Sequence, residues 1–146
     1  MQLLGIKNIT TQTVPALGLV DLGTVYRRYC TKDACGFRTF EVTGDSISIQ
    51  HPGMYAVTVT ATFTAPAAGD VTLQLYEDGV AVPGALATET ITTADTETRT
   101  VSFDYTVLVN CTRILNTTAI TKNITVVNTG VEADFSNIVV NVLKVS

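Results

Sequence analysis

The chain of 146 residues holds three cysteines, Cys30, Cys35 and Cys111, and a single histidine, His51. Together these four could supply a tetrahedral zinc site. Structural zinc sites draw their ligands in closely spaced pairs, however, and only Cys30 and Cys35 lie near each other, at a loose spacing. No metal and no other cofactor is therefore expected. A disulfide between Cys30 and Cys35 is sterically open, but synthesis in a reducing compartment makes free thiols the expectation. A catalytic thiol would need imidazole, and the one His directly precedes Pro52 in a turn sequence. Paired carboxylates facing one cleft would serve glycoside hydrolysis. Here the acids are spread over turn sequences (Asp33, Asp45, Asp70, Glu77, Asp78, Asp95, Glu97, Glu132 and Asp134), where solvated positions are expected. The same acids show no calcium-binding repeat. Glycines stand singly, so no phosphate-cradling loop is present. The chain is read as a non-enzyme.

Binding chemistry is limited in the same way. With 9 Lys and Arg against 13 Asp and Glu, the net charge is −4, and only Arg27 and Arg28 are adjacent cations. No basic stripe exists to meet nucleic acid. No apolar run approaches the roughly 18 residues of a membrane span, and the first residues lack a secretory signal pattern. Asn8, Asn110, Asn116 and Asn123 each head an Asn-x-Ser/Thr match, as a threonine-rich chain produces by chance, and no glycosylation is expected. One polar-aromatic cluster remains: Tyr26, Arg27, Arg28 and Tyr29. It reads either as an edge strand or as a docking patch, since Tyr and Arg dominate interface hot spots.

The elements that position these residues are strands. Tyr55, Val57, Val59, Ala61 and Phe63 alternate with Thr58, Thr60 and Thr62; Val71, Leu73 and Leu75 alternate with Thr72, Gln74 and Tyr76; Val101, Phe103, Tyr105, Val107 and Val109 alternate with polar residues. Ile120, Ile124 and Val126 mark a further strand. Shorter strands are expected over residues 3–9, 19–29, 37–42, 46–50 and 79–82, with 85–95 a surface loop. Turn sequences punctuate them, among them Glu77-Asp78-Gly79 and Pro83-Gly84. The predicted interior comprises Tyr55, Val57, Val59, Phe63, Leu73, Leu75, Phe103, Tyr105 and Val107. In the last strand Ile138, Val140 and Val142 share one face, and Val139, Leu143 and Val145 the other. A strand apolar on both faces is covered on both, so Val139, Leu143 and Val145 are expected at a subunit interface. About eight to ten short strands at this spacing predict a single all-β antiparallel sandwich over residues 1–146. Residues 1–15, with Leu3, Leu4, Ile6 and Ile9, are either its first strand or a docking arm; Leu3, Leu4 and Ile6 accordingly join the expected docking patch.

Two stretches carry a family resemblance. Phe40-Glu41-Val42, Ser46-Ile47-Ser48-Ile49 and Pro52-Gly53-Met54-Tyr55-Ala56-Val57-Thr58-Val59 resemble the core of the tumour-necrosis-factor-like and complement-globular-head jelly rolls. Val71-Thr72-Leu73-Gln74-Leu75 followed by Asp78-Gly79-Val80-Ala81-Val82-Pro83-Gly84 is similar to the next family strand and turn. It is closest to C-terminal domains of bacterial spore-surface collagen-like proteins, and the pattern recurs in bacteriophage virion proteins. The closing segment 137–145 resembles the final family strand. This likeness, over residues 37–145, implies a jelly-roll sandwich and a homotrimer. Without a collagen-like stalk or secretion signal, the expectation is a virion protein made in the host cytoplasm: a capsid decoration, head fibre or tail-tip component bound to other virion proteins. A carbohydrate- or receptor-binding module that meets a surface glycan is the rival reading.

Overall fold

The computed structural model describes residues 2–30, 39–110 and 121–146. Twelve strands follow in chain order: β1 (Gln2–Asn8), β2 (Gln12–Val14), β3 (Gly18–Leu19), β4 (Thr24–Cys30), β5 (Phe40–Thr43), β6 (Ser46–Ile49), β7 (Gly53–Thr64), β8 (Gly69–Glu77), β9 (Val80–Ile91), β10 (Arg99–Val109), β11 (Lys122–Asn128) and β12 (Ala133–Lys144). Among the described residues no helix is long and apolar enough to cross a membrane.

The strands form two six-stranded antiparallel sheets. One, here the terminal sheet, runs β10-β7-β12-β1-β4, with β2 added to β12; the opposing sheet runs β5-β6-β11-β8-β9, with β3 added to β11. Period-two alternation dictates how they pack. Tyr55, Val57, Val59, Ala61 and Phe63 all point inward from β7, and Val71, Leu73 and Leu75 meet them from β8. Phe63 and Phe135 meet as tilted rings at 5.5 Å, and Phe40 meets Tyr55 edge to face at 5.7 Å. Each fully buried large side chain stabilises the fold by roughly 1.5–3 kcal/mol. Of the predicted interior only Tyr105 is half-buried rather than enclosed.

Three boundaries differ from expectation. The strand expected over 19–29 is two pieces, one in each sheet. Between them Asp21 Oδ1 accepts the Gly23 amide, and the chain turns from β3 to β4. The expected loop 85–95 is strand as far as Ile91, because Ala85 and Ile91 are buried while Thr88 and Thr90 face outward. Pro83-Gly84 is accordingly no turn but an irregularity within β9, where the register against β8 shifts between Gln74 and Tyr76. An edge strand tolerates a proline there because no ladder amide is lost. In the 37–42 strand, residues 37 and 38 lie outside the described residues, as does Ile120.

Candidate functional site

The outer face of the terminal sheet gathers most of the residues expected to act. Strand registers place them in rows. Leu108 of β10 pairs with Met54 of β7, whose carbonyl accepts the Val145 amide at 2.8 Å. In the next row Ala56 pairs with Leu143, Leu143 with Leu3, and Leu3 with Tyr29. Met54, Leu108, Val145 and Tyr29 are 42–56% exposed, and together with half-buried Leu143 and Leu3 they form an apolar band across the sheet. Val139, one row beyond Asn141, is half-buried on the same face. The rest of the face is hydroxyl-rich: Thr60 pairs with Ser102 and Thr62 with Thr100, each at 3.2 Å.

Beside the band sits a built cluster. The β1–β4 register shifts between Gly5 and Ile6, leaving Tyr26 as the extra residue of a bulge. Its ring lies across β1, so close that a Cβ on Gly5 would stand 2.9 Å from the ring. Its hydroxyl donates to Asn141 Oδ1 on β12 at 3.1 Å. Lys7 Nζ and the Arg27 guanidinium both approach the same ring, 5.2 and 5.5 Å from its centre. Arg28 points the other way and donates to the Phe40 carbonyl at 3.0 Å. Tyr26, Arg27, Tyr29 and Leu3 therefore share one surface. Leu4 and Ile6 do not: both are fully buried in the core, so their expected place in a docking patch is corrected. They alternate with Leu3 and Gly5 on a central strand, and a central strand must fill its inner face. Lys7, Gly5 and Asn141 are the residues sequence reasoning missed. A glycine inside a strand, a signal of close approach, could have flagged Gly5.

The other candidates resolve into structural roles. Cys35 and Cys111 lie outside the described residues; among those described, no three His, Cys, Asp or Glu side chains converge on a metal site. His51 Nδ1 lies 3.2 Å from Thr39 Oγ1, and its carbonyl accepts the Tyr55 hydroxyl at 2.8 Å, while burial pushes the Tyr55 phenol up to about 12. Three of the turn acids tie segments distant in sequence together, and Glu97 holds its own turn. Asp70 accepts Thr90, Asp78 accepts the Asn123 amide and Asp134 accepts Thr13. Glu97 accepts the Thr93 and Thr92 amides and two Arg99 donors, and those bonds pull its carboxyl down to about 2. On the opposing sheet an open groove of about 450 Å³ is lined by Leu17, Leu19, Tyr76, Asn123, Thr125 and Val127.

No family model and no curated protein matches the chain. Solved structures do. The globular domain of zebrafish complement 1qA superposes with a TM-score of 0.64 at 10% identity, covering 100% of this chain and 98% of that one. Eiger TNF from S. frugiperda gives 0.65 at 10% identity, covering 100% and 94%. The vertex protein P5 of phage PRD1 gives 0.52 at 11% identity, covering 99% and 97%. What the chain shares with them, over nearly its whole length, is the jelly-roll sandwich of tumour-necrosis-factor-like and complement globular heads.

Proposed function

We propose that the protein is a non-enzymatic, homotrimeric structural component of a bacteriophage virion: a capsid decoration, head fibre or tail-tip protein that assembles with other virion proteins. The apolar band on the terminal sheet carries this reading. Single exposed apolar residues are ordinary, but Leu108, Met54, Val145, Leu143 and Leu3 are contiguous, and contiguous apolar surface marks an interface. In a trimer Val139, Leu143 and Val145 face a neighbouring copy across the threefold axis. The likeness to a phage vertex protein supports the virion setting. A repeated lattice also suits such a module, since many weak contacts act together.

Light scattering of the purified protein should give the mass of three chains. Val139→Asp should give single chains, because it places an unpaired charge in the interface. A wild-type monomer at micromolar concentration sinks the trimer. Quantitative mass analysis of purified particles should find the chain in fixed stoichiometric copies; its absence sinks the virion role. The opposing-sheet groove, with Tyr76 beside Asn123 and Thr125, favours the second reading, a glycan-binding module. Retention on a glycan array, lost in Tyr76→Ala, would establish it.

A further inference from the structure

Strand β4 is an edge of the terminal sheet, and among the described residues it pairs only with β1. Every residue from Thr24 to Tyr29 is exposed, and among the described residues no strand pairs with the outer edge of β4. Such an edge presents a row of backbone donors and acceptors at strand spacing. Its side chains are uniformly basic or neutral: Arg27 and Arg28 on the strand, with Lys7 alongside on β1. Among the described residues the ion pairs are Arg99–Glu97 and Lys122–Glu77; no carboxylate meets any of these three cations. Lys7 and Arg27 converge on one ring despite their mutual repulsion. In a chain of net charge −4, that is a local excess of positive charge.

We infer that β4 accepts an extended acidic segment of a partner polypeptide by strand addition. The partner's backbone completes the open ladder, a carboxylate meets Lys7 and Arg27, and an apolar residue two positions along lies against Tyr29. A second copy of β4 is the wrong occupant, because antiparallel pairing of like strands would set Arg27 and Arg28 against the same charges. A glycan would satisfy the cations but leave the ladder open. The inference does not depend on the virion reading and is tested on the isolated full-length chain.

The probes are three fluorescent peptides: one alternating Glu with Val and Thr, the same with Lys for Glu, and the acidic one interrupted by a central Pro. The acidic peptide should bind, slow amide exchange over residues 24–30 specifically, and bind at least about tenfold more tightly than either control. Lys7→Glu/Arg27→Glu should reverse the charge preference. Arg27→Gln, the milder variant, should weaken binding without moving the melting temperature, should the double variant fold poorly. Failure of the acidic peptide to bind, protection elsewhere, equal binding of the Pro peptide, or an unchanged preference in the charge-swapped protein each overturns the proposal. A sulfated polysaccharide that binds while the acidic peptide does not would show that charge alone is recognised.

Discussion

Strands β12 and β9 are each 12 residues long, yet they live under different rules. β12 runs between β7 and β1, so both ladders are occupied, and it buries Ala133, Phe135, Ile138, Val140 and Val142. Among the described residues β9 pairs only with β8; it buries Val82, Ala85 and Ile91 and carries Pro83 and Gly84 in mid-strand. Position in the sheet, not length, decides what a strand tolerates. A central strand must satisfy two neighbours and a core, and the one irregularity of β12, a register shift against β7 between Phe135 and Asn137, leaves its ladder with β1 in step. An edge strand can interrupt its single ladder, as β9 does opposite Leu75, and the interruption blunts an edge that would otherwise invite pairing.

The sharpest way to break the contrast is inside β12. Phe135 is fully buried against Phe63. Phe135→Ala should cost about 3–5 kcal/mol in urea unfolding; a loss under about 1 kcal/mol would mean that β12 is not central to the core. In β9, Gly84 has φ +85° with nothing within 4 Å of where a Cβ would stand. Gly84→Ala therefore meets no clash and pays only for its backbone conformation, about 1–2 kcal/mol. A loss as large as that at Phe135 would show that the irregularity is packed rather than free. The smallest effect lies in the loop leaving β9. The folded-state carboxyl of Glu97, held by Thr93, Thr92 and Arg99, titrates near 2, below its ordinary value of 4.5. Its stabilising contribution is thus present above about pH 4.5 and fades as pH falls toward 2. Glu97→Gln should lower the melting temperature slightly at pH 7 and not at pH 2; an equal shift at both pH values would contradict the pairing.

How legible these differences are in the sequence follows from the same physics. β7, β8 and β10 alternate cleanly because each separates a core from an outer surface, and the inward sets of β7 and β8 read correctly, as does that of β10 but for half-buried Tyr105; β12, apolar on both faces, does not declare which one is inside. The far half of β9 was opaque. Its inward alanines (Ala85, Ala87) are small and its outward residues are Leu86, Thr88 and Thr90, so the alternation carries little hydrophobic contrast. The Pro83-Gly84 pair reads as a turn because local chemistry cannot reveal that the strand resumes. At the candidate site, Tyr26 and Arg27 announce themselves by type. Lys7, Gly5 and Asn141 become part of it only through registers between β1, β4 and β12, contacts that no local window contains. Leu4 and Ile6 misled because Leu3-Leu4-Gly5-Ile6 is apolar on both faces, and only the sheet order tells which face is inside.

One consequence of the β1–β12 pairing concerns time rather than structure. Leu3 is matched with Leu143, Ile6 with Val140 and Asn8 with Ile138, so the first strand made waits for the last. During synthesis β1 emerges with one future neighbour, β4, close behind it, but its other neighbour arrives only when nearly the whole domain has left the ribosome. Closing so long a loop comes late and slowly. Until then Leu4 and Ile6 lack the covered setting that the finished sandwich gives them, and β7, too, lacks the neighbour that joins it to β1. In the opposing sheet the hairpins β5–β6 and β8–β9 can close early, but β11, which lies between them, joins them only after residues 122–128 have emerged. Translation therefore favours an order in which local hairpins form early and both sheets are sewn shut at the end, by β11 and then β12.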